Sequence, residues 1–256
     1  MNRREWLTRL AALGVSGCAR FAVRPPTPAA TMEMRGMWEP QPDEKFYILI
    51  FASQSNPKVA RRTHTWVVLV RVQQHGGVPK LPIEYHTISW LPATTEVHPL
   101  NFRVEKGLNW SLHETLQIVL KNQEQISEWG PYECRPQLYY RTLAQKEFLD
   151  SGVIGYQAID DIGESARKGN GCDCIHAFTD QEPLFSRSRY PLSRFGDSAS
   201  QFIVKQIWER DLLLLPEQTH DWLQEPLGLN PYPIRRRCYR GKVDEELARR
   251  TRESSR

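Results

Sequence analysis

The sequence predicts an α+β fold, a small antiparallel sheet packed against several helices, on three observations. Two β-branched runs alternate in the pattern of neighbouring strands, apolar residues recur at helical spacing in three later segments, and no internal repeat organises the chain. With 40% hydrophobic and 10% aromatic residues, the chain can bury an ordinary core.

Each element follows from local pattern. Phe46 to Phe51 is a short apolar run and reads as a buried strand. Thr65 to Val72 is dense in β-branched residues, and His75-Gly76-Gly77 punctuates it. Ile83 to Trp90 alternates apolar and polar residues, so this strand is expected to pair antiparallel with the one before it. Ser111-Leu112-His113-Glu114 has the form of a capping box. Behind it Leu112, Leu116, Val119, Leu120, Gln123 and Ile126 keep helical spacing, and Gly130-Pro131 is expected to close the region. A second helix is expected from about Pro136 to Leu149, stopped by Ser151-Gly152, then a short strand from Val153 to Ile159. Asp197 or Ser198 is expected to cap a third helix, with Phe202, Ile203, Ile207 and Trp208 on one face. Pro216 interrupts, and His220 to Leu227 adds a short helical piece. Trp66, Trp90, Trp129 and Trp208 read as core.

The ends differ from the body. Arg3, Arg4 and Arg9 precede a brief apolar stretch, Leu10 to Val15, and then Ser16-Gly17-Cys18. A charged start, a short apolar segment and small residues form the signal-peptide pattern. Arg3-Arg4 resembles a twin-arginine export motif, and Val15 to Cys18 resembles a lipobox, in which Cys18 becomes the lipidated first residue of a bacterial lipoprotein. Residues 1–18 are therefore expected to direct the chain to the cell envelope as a periplasmic lipoprotein held to a membrane by its lipid. Prolines 25, 26, 28, 40 and 42 make residues 19–45 a semi-extended tether. Residues 46–234 form the one folded domain, and 235–256 a basic tail with nine basic and four acidic side chains. The formal charge of the whole chain is only +4, and the folded body is slightly acidic, a balance that argues against nucleic acid as a partner.

The chemistry-bearing cluster is Cys172-Asp173-Cys174-Ile175-His176. A cysteine becomes a nucleophile when a histidine or a helix N-terminus stabilises its thiolate. Cys174 follows a glycine-bearing loop and opens a helical segment. His176, two residues on, points elsewhere on a helix, so a base is expected from another part of the fold: His64 at the mouth of one strand, with His86 on the next. Asp173 beside the thiol is expected to raise its pKa. Two rival uses of the same residues are open. In an oxidising compartment Cys134, Cys172, Cys174 and Cys238 could form disulfides, with or without Cys174 left free. Cys172, Cys174 and His176 could bind zinc with His64 or His86.

Strand-borne His64, a second polar residue at His86, two helices, and then Asp173-Cys174-Ile175-His176-Ala177-Phe178 form an order that resembles the circularly permuted papain-like superfamily, which includes lecithin:retinol acyltransferase-like proteins and permuted cell-wall amidases. The resemblance spans roughly residues 46–182, and Asp173 stands where that group carries asparagine. It implies a thioester-forming hydrolase or acyltransferase with Cys174 as nucleophile, His64 as base and His86, or Glu84, as the orienting group. The expected substrate is an amide or ester of the envelope, with no cofactor and no metal. The alternative is a non-catalytic envelope lipoprotein whose cysteines are bridged.

Overall fold

A computed structural model describes residues 43–181 and 195–240. The signal, the lipobox Cys18 and most of the tether and tail lie outside these residues. Among the described residues, no helix is long and apolar enough to cross a membrane.

The first strand, β1 (Glu44–Gln54), pairs antiparallel with β2 (Thr63–His75). A tight turn at Gly76-Gly77 returns the chain as β3 (Val78–Pro79), and β4 (Glu84–Ile88) then pairs antiparallel with β2 over Val67–Arg71. The expected hairpin partner therefore forms. Beyond it, β5 (Trp90–Pro92) and β6 (Gly107–Asn109) make a small ribbon.

Helix α1 (Leu112–Lys121) starts on the capping box as expected, with Ser111 and Glu114 each satisfying the other's backbone N–H. It stops earlier than the apolar spacing suggests. Gln123 takes a left-handed conformation, and Ile126 belongs to strand β7 (Gln125–Glu133), on the opposite side of β1 from β2. Gly130-Pro131 does not end this region. Opposite Ile48 to Ile50 the register shifts, and Gly130, at φ +107° and close to the Ile48 carbonyl, occupies that bulge.

Helix α2 (Pro136–Asp150) matches its expected bounds, with proline in its first turn. The strand expected over 153–159 shrinks to β8 (Gly155–Tyr156). Helix α3 (Gly163–Lys168) follows, and then β9 (Gly171–Cys172), parallel to β8. A single helical turn, α4 (His176–Thr179), carries the chain to the end of the first described segment.

Helix α5 (Asp197–Glu209) has Gly196 at its N-cap with no side-chain cap, so neither Asp197 nor Ser198 plays the expected part. Asp197 binds the Arg237 guanidinium and the Ser127 hydroxyl instead. The expected helical piece after His220 is a 3-10 turn at Asp221–Leu223. The basic tail gives up its first residues to β10 (Ile234–Arg237), which pairs parallel with β7. Arg236 meets Asp221 at 2.7 Å, so this stretch is structural rather than solvated.

The main sheet thus runs β10-β7-β1-β2-β4, antiparallel except at β10. Alternation along β1 divides the core into two clusters. Phe46, Ile48, Ile50 and Ala52 pack against α2, α4 and α5 through Leu138, Phe178 and Ile203. Tyr47, Leu49 and Phe51 pack against α1 and the 223–229 segment. Each fully buried aliphatic or phenyl side chain contributes about 1.5–3 kcal/mol. Trp66, Trp90 and Trp129 are core, whereas Trp208 is 43% exposed.

Candidate functional site

β4 covers the outer edge of β2 only as far as Val67, so the edge beyond it, at Thr63 to Trp66, carries no strand partner on that side. The 172–176 segment comes to this edge. The Thr65 backbone N–H donates to the Cys174 sulfur, and Thr63 lines one pocket together with Cys174, Val97, Tyr156, Asp161 and Phe195. Burial, then the Asp173 carboxylate beside it, pushes the thiol up to about 12, as the sequence leads one to expect for the aspartate. The thiol is therefore protonated at neutral pH.

His64 sits one residue along β2 from that N–H. It is 3% exposed, stacks on Trp66 with ring centres 5.4 Å apart, and turns toward the α1 side of the sheet. Its Nε2 meets the Ser89 hydroxyl at 2.8 Å, and its Nδ1 is buried without a hydrogen-bond partner. Burial holds the imidazole down at about 3, so it is neutral. No hydrogen bond joins His64 to Cys174, which packs against the cluster on the other face of the sheet. The two expected partners are brought to the same stretch of β2, the sulfur at its edge and the ring on its α1 side.

His86 does not orient His64. It lies further along β4 with Nε2 3.0 Å from Glu84, and Glu84 also faces Arg71 and Tyr139. Because β4 pairs with β2 only from Val67 onward, His86 sits opposite Leu69, well along the strand from His64. Ser89, just past the end of β4, is the side chain that meets His64 Nε2. Sequence reasoning missed it, although a serine between the buried Ile88 and Trp90 is a signal, as is Thr115 on the apolar face of α1.

The segment carrying Cys174 is fixed by a second buried histidine. Asp173 Oδ1 accepts the backbone N–H groups of Ile175 and His176 at 2.8 and 2.7 Å, capping the turn. Asp160 accepts the Asp173 N–H at 3.1 Å and the His176 Nδ1–H at 2.8 Å. Burial draws the His176 pKa down, but Asp160 and then Asp173 override it, raising the group to about 10. His176 is thus an imidazolium locked between carboxylates, and its Nδ1 is not a base for Cys174.

The zinc set does not assemble. Among the described residues, the one group that brings three potential ligand atoms within 4.8 Å is Asp160, Asp161 and His176, which includes no cysteine. The bridges do not form either: Cys134, Cys172, Cys174 and Cys238 are all free thiols. Their surroundings differ, with Cys134 beside Tyr47, Cys172 and Cys174 beside Tyr156, and Cys238 near Tyr132.

The α+β class is established by this architecture. The chain matches no family model, no curated protein and no solved structure.

Proposed function

We propose that the protein is an extracytoplasmic, lipid-anchored cysteine hydrolase or acyltransferase that cleaves an amide or ester through a thioester on Cys174, in the manner of permuted papain-like enzymes. The observation that carries this reading is a pocket-lining thiol held against the uncovered edge of β2 by a backbone N–H. The sulfur takes the N–H of Thr65, while the neighbouring His64 is anchored at Nε2 and unbonded at Nδ1. A neutral imidazole with an unbonded nitrogen is the form that accepts a proton. Against the non-catalytic alternative with bridged cysteines stand the free thiols of all four described cysteines.

In the proposed reaction Sγ attacks the acyl carbon and its proton passes to His64 Nδ1, a step that requires the ring nitrogen to reach the sulfur round the uncovered edge of β2 from the α1 side. The Cys174 backbone N–H, which faces the sulfur, is a donor available to the oxyanion. Collapse expels the amine or alcohol, which takes the proton from His64, and leaves the acyl group on sulfur. Water or an acceptor alcohol then attacks the thioester with His64 again as base, the C–S bond breaks, and the released thiolate takes the proton back from His64. In the resting site both groups are neutral and no hydrogen bond joins them.

p-Nitrophenyl acetate is a test substrate that needs no specificity. Intact-mass analysis is expected to find an acetyl adduct on wild type that maps to Cys174 and is absent from Cys174→Ala. Its formation is expected to slow on the order of a hundredfold in His64→Gln. An adduct at another residue, or an unchanged rate in His64→Gln, overturns the reading.

A further inference from the structure

Thr115 and Ser89 are buried hydroxyls that the reaction above does not touch, yet they lie in line behind His64. His64 Nε2 is 2.8 Å from Ser89 Oγ, Ser89 Oγ is 2.7 Å from Thr115 Oγ1, and Thr115 Oγ1 is 2.8 Å from the Ser111 carbonyl oxygen. Ser89 and Thr115 are fully buried, so no solvent hydrogen bond competes. The carbonyl end is anchored, because Ser111 is the N-cap of α1 and its capping box sets where the helix begins.

Counting protons gives this chain a direction. A carbonyl has no proton, so the Thr115 hydroxyl must donate to it. Thr115 then has none left for Ser89, and the Ser89 hydroxyl must donate to Thr115. Ser89 is left as an acceptor, and the proton between it and the ring must belong to His64 Nε2. We propose that Ser89 and Thr115 are positioning residues: their hydroxyl chain, ended by the Ser111 carbonyl, fixes neutral His64 as the Nε2–H tautomer and leaves the Nδ1 lone pair bare.

That tautomer is the one the proposed reaction needs, and the assignment of a catalytic role to it rests on that reading. The opposite tautomer would put a proton on Nδ1 and leave the unbonded nitrogen with no lone pair to offer. Trp66, stacked on the ring with planes 15° apart, keeps the imidazole from turning to exchange its two nitrogens. The device uses two neutral hydroxyls instead of a carboxylate or amide, consistent with an imidazole whose pKa is lowered by burial alone.

Nitrogen-15 NMR of the histidine-labelled protein reads the tautomer directly. At neutral pH, wild type is expected to show an unprotonated, pyridine-type Nδ1 and a pyrrole-type Nε2 for His64. Thr115→Val removes the end of the chain, frees the Ser89 proton to turn toward Nε2, and is expected to shift His64 toward Nδ1–H. Acetylation of Cys174 should fall on the order of a hundredfold with it. Thr115→Ser restores the hydroxyl and is expected to restore both readouts, which a loss of packing alone would not. A wild-type His64 protonated at Nδ1 overturns the proposal, even if Thr115→Val fails to fold. So does a Thr115→Val protein that is folded and keeps the Nε2–H form. If the tautomer is as stated but no variant or wild type forms an acyl-cysteine, the hydroxyl chain stands and the enzymatic reading falls.

Discussion

His64 and His176 are both buried beyond the reach of solvent, and their pKa values are driven in opposite directions, to about 3 and about 10. The difference lies in what each ring touches. His64 meets a hydroxyl and an indole, neither of which repays the desolvation of a charge, so it stays neutral. His176 meets Asp160 at 2.8 Å and Asp173 at 3.3 Å, and two carboxylates outweigh the same desolvation. A buried histidine is therefore not one kind of group. The first environment stores a lone pair and the second stores an ion pair. The neutral ring keeps an unbonded nitrogen, while the charged one holds the loop that bears Cys174.

The sharpest way to break this comparison is to remove the charge that makes His176 different. Asp160→Asn leaves a buried imidazolium with one carboxylate in place of two, and breaking a buried pair of this kind costs about 3–5 kcal/mol. Urea denaturation at pH 7 is expected to show that loss, together with a fall in the His176 pKa followed by NMR. A variant as stable as wild type would mean that His176 is not held as an ion, and the contrast with His64 would vanish.

The pH dependence of stability separates the two rings. His64 has its pKa lowered by burial, so the unfolded chain binds a proton below about 6.5 that the folded protein refuses down to about 3. Its contribution is present above pH 6.5 and is lost as pH falls toward 3. His176 has its pKa raised, so its contribution is complete below about 6.5 and is lost as pH rises through about 10. Thermal melts across this range are expected to show both losses. His64→Gln should flatten the acid limb alone, and an acid limb unchanged in that variant would show that His64 is not the neutral, desolvated group described here.

The same contrast explains what the sequence could disclose. Local signals were legible: the capping box of α1, the proline-led start of α2 and the β-branched run of β2 all rest on neighbouring residues. β7 was not legible, because Gly130-Pro131 marks a chain break nearly everywhere except at a bulge. The bulge exists only where β7 lies against Ile48 to Ile50. β10 was hidden for a similar reason, since Arg236 and Arg237 look like a solvated run until Asp221 and Asp197 arrive from distant segments. At the site, Cys174 and His64 were visible as residue types. The sequence points to His86 behind His64, whereas Ser89 is the side chain that meets it, because histidine announces chemistry and serine does not. Only the register of β4, which ends its pairing at Val67, decides which of the two stands behind His64.

The smallest expected effect concerns the carboxylate that both supports the ion pair and burdens the thiol. Asp173 Oδ1 caps the turn, and asparagine keeps that oxygen, so Asp173→Asn is expected to preserve the fold of 173–179. What it removes is the negative charge beside Cys174, the second cause of the raised thiol pKa after burial. The thiolate fraction at pH 8 grows about tenfold for each unit the pKa falls, so iodoacetamide should alkylate Cys174 up to about tenfold faster in this variant. The wild-type rate should keep climbing beyond pH 10 without a plateau, as a thiol near 12 requires. An alkylation rate unchanged in Asp173→Asn would assign the whole shift to burial. The charged loop of His176 and the thiol it carries would then be electrostatically separate, joined only by the backbone that Asp173 caps.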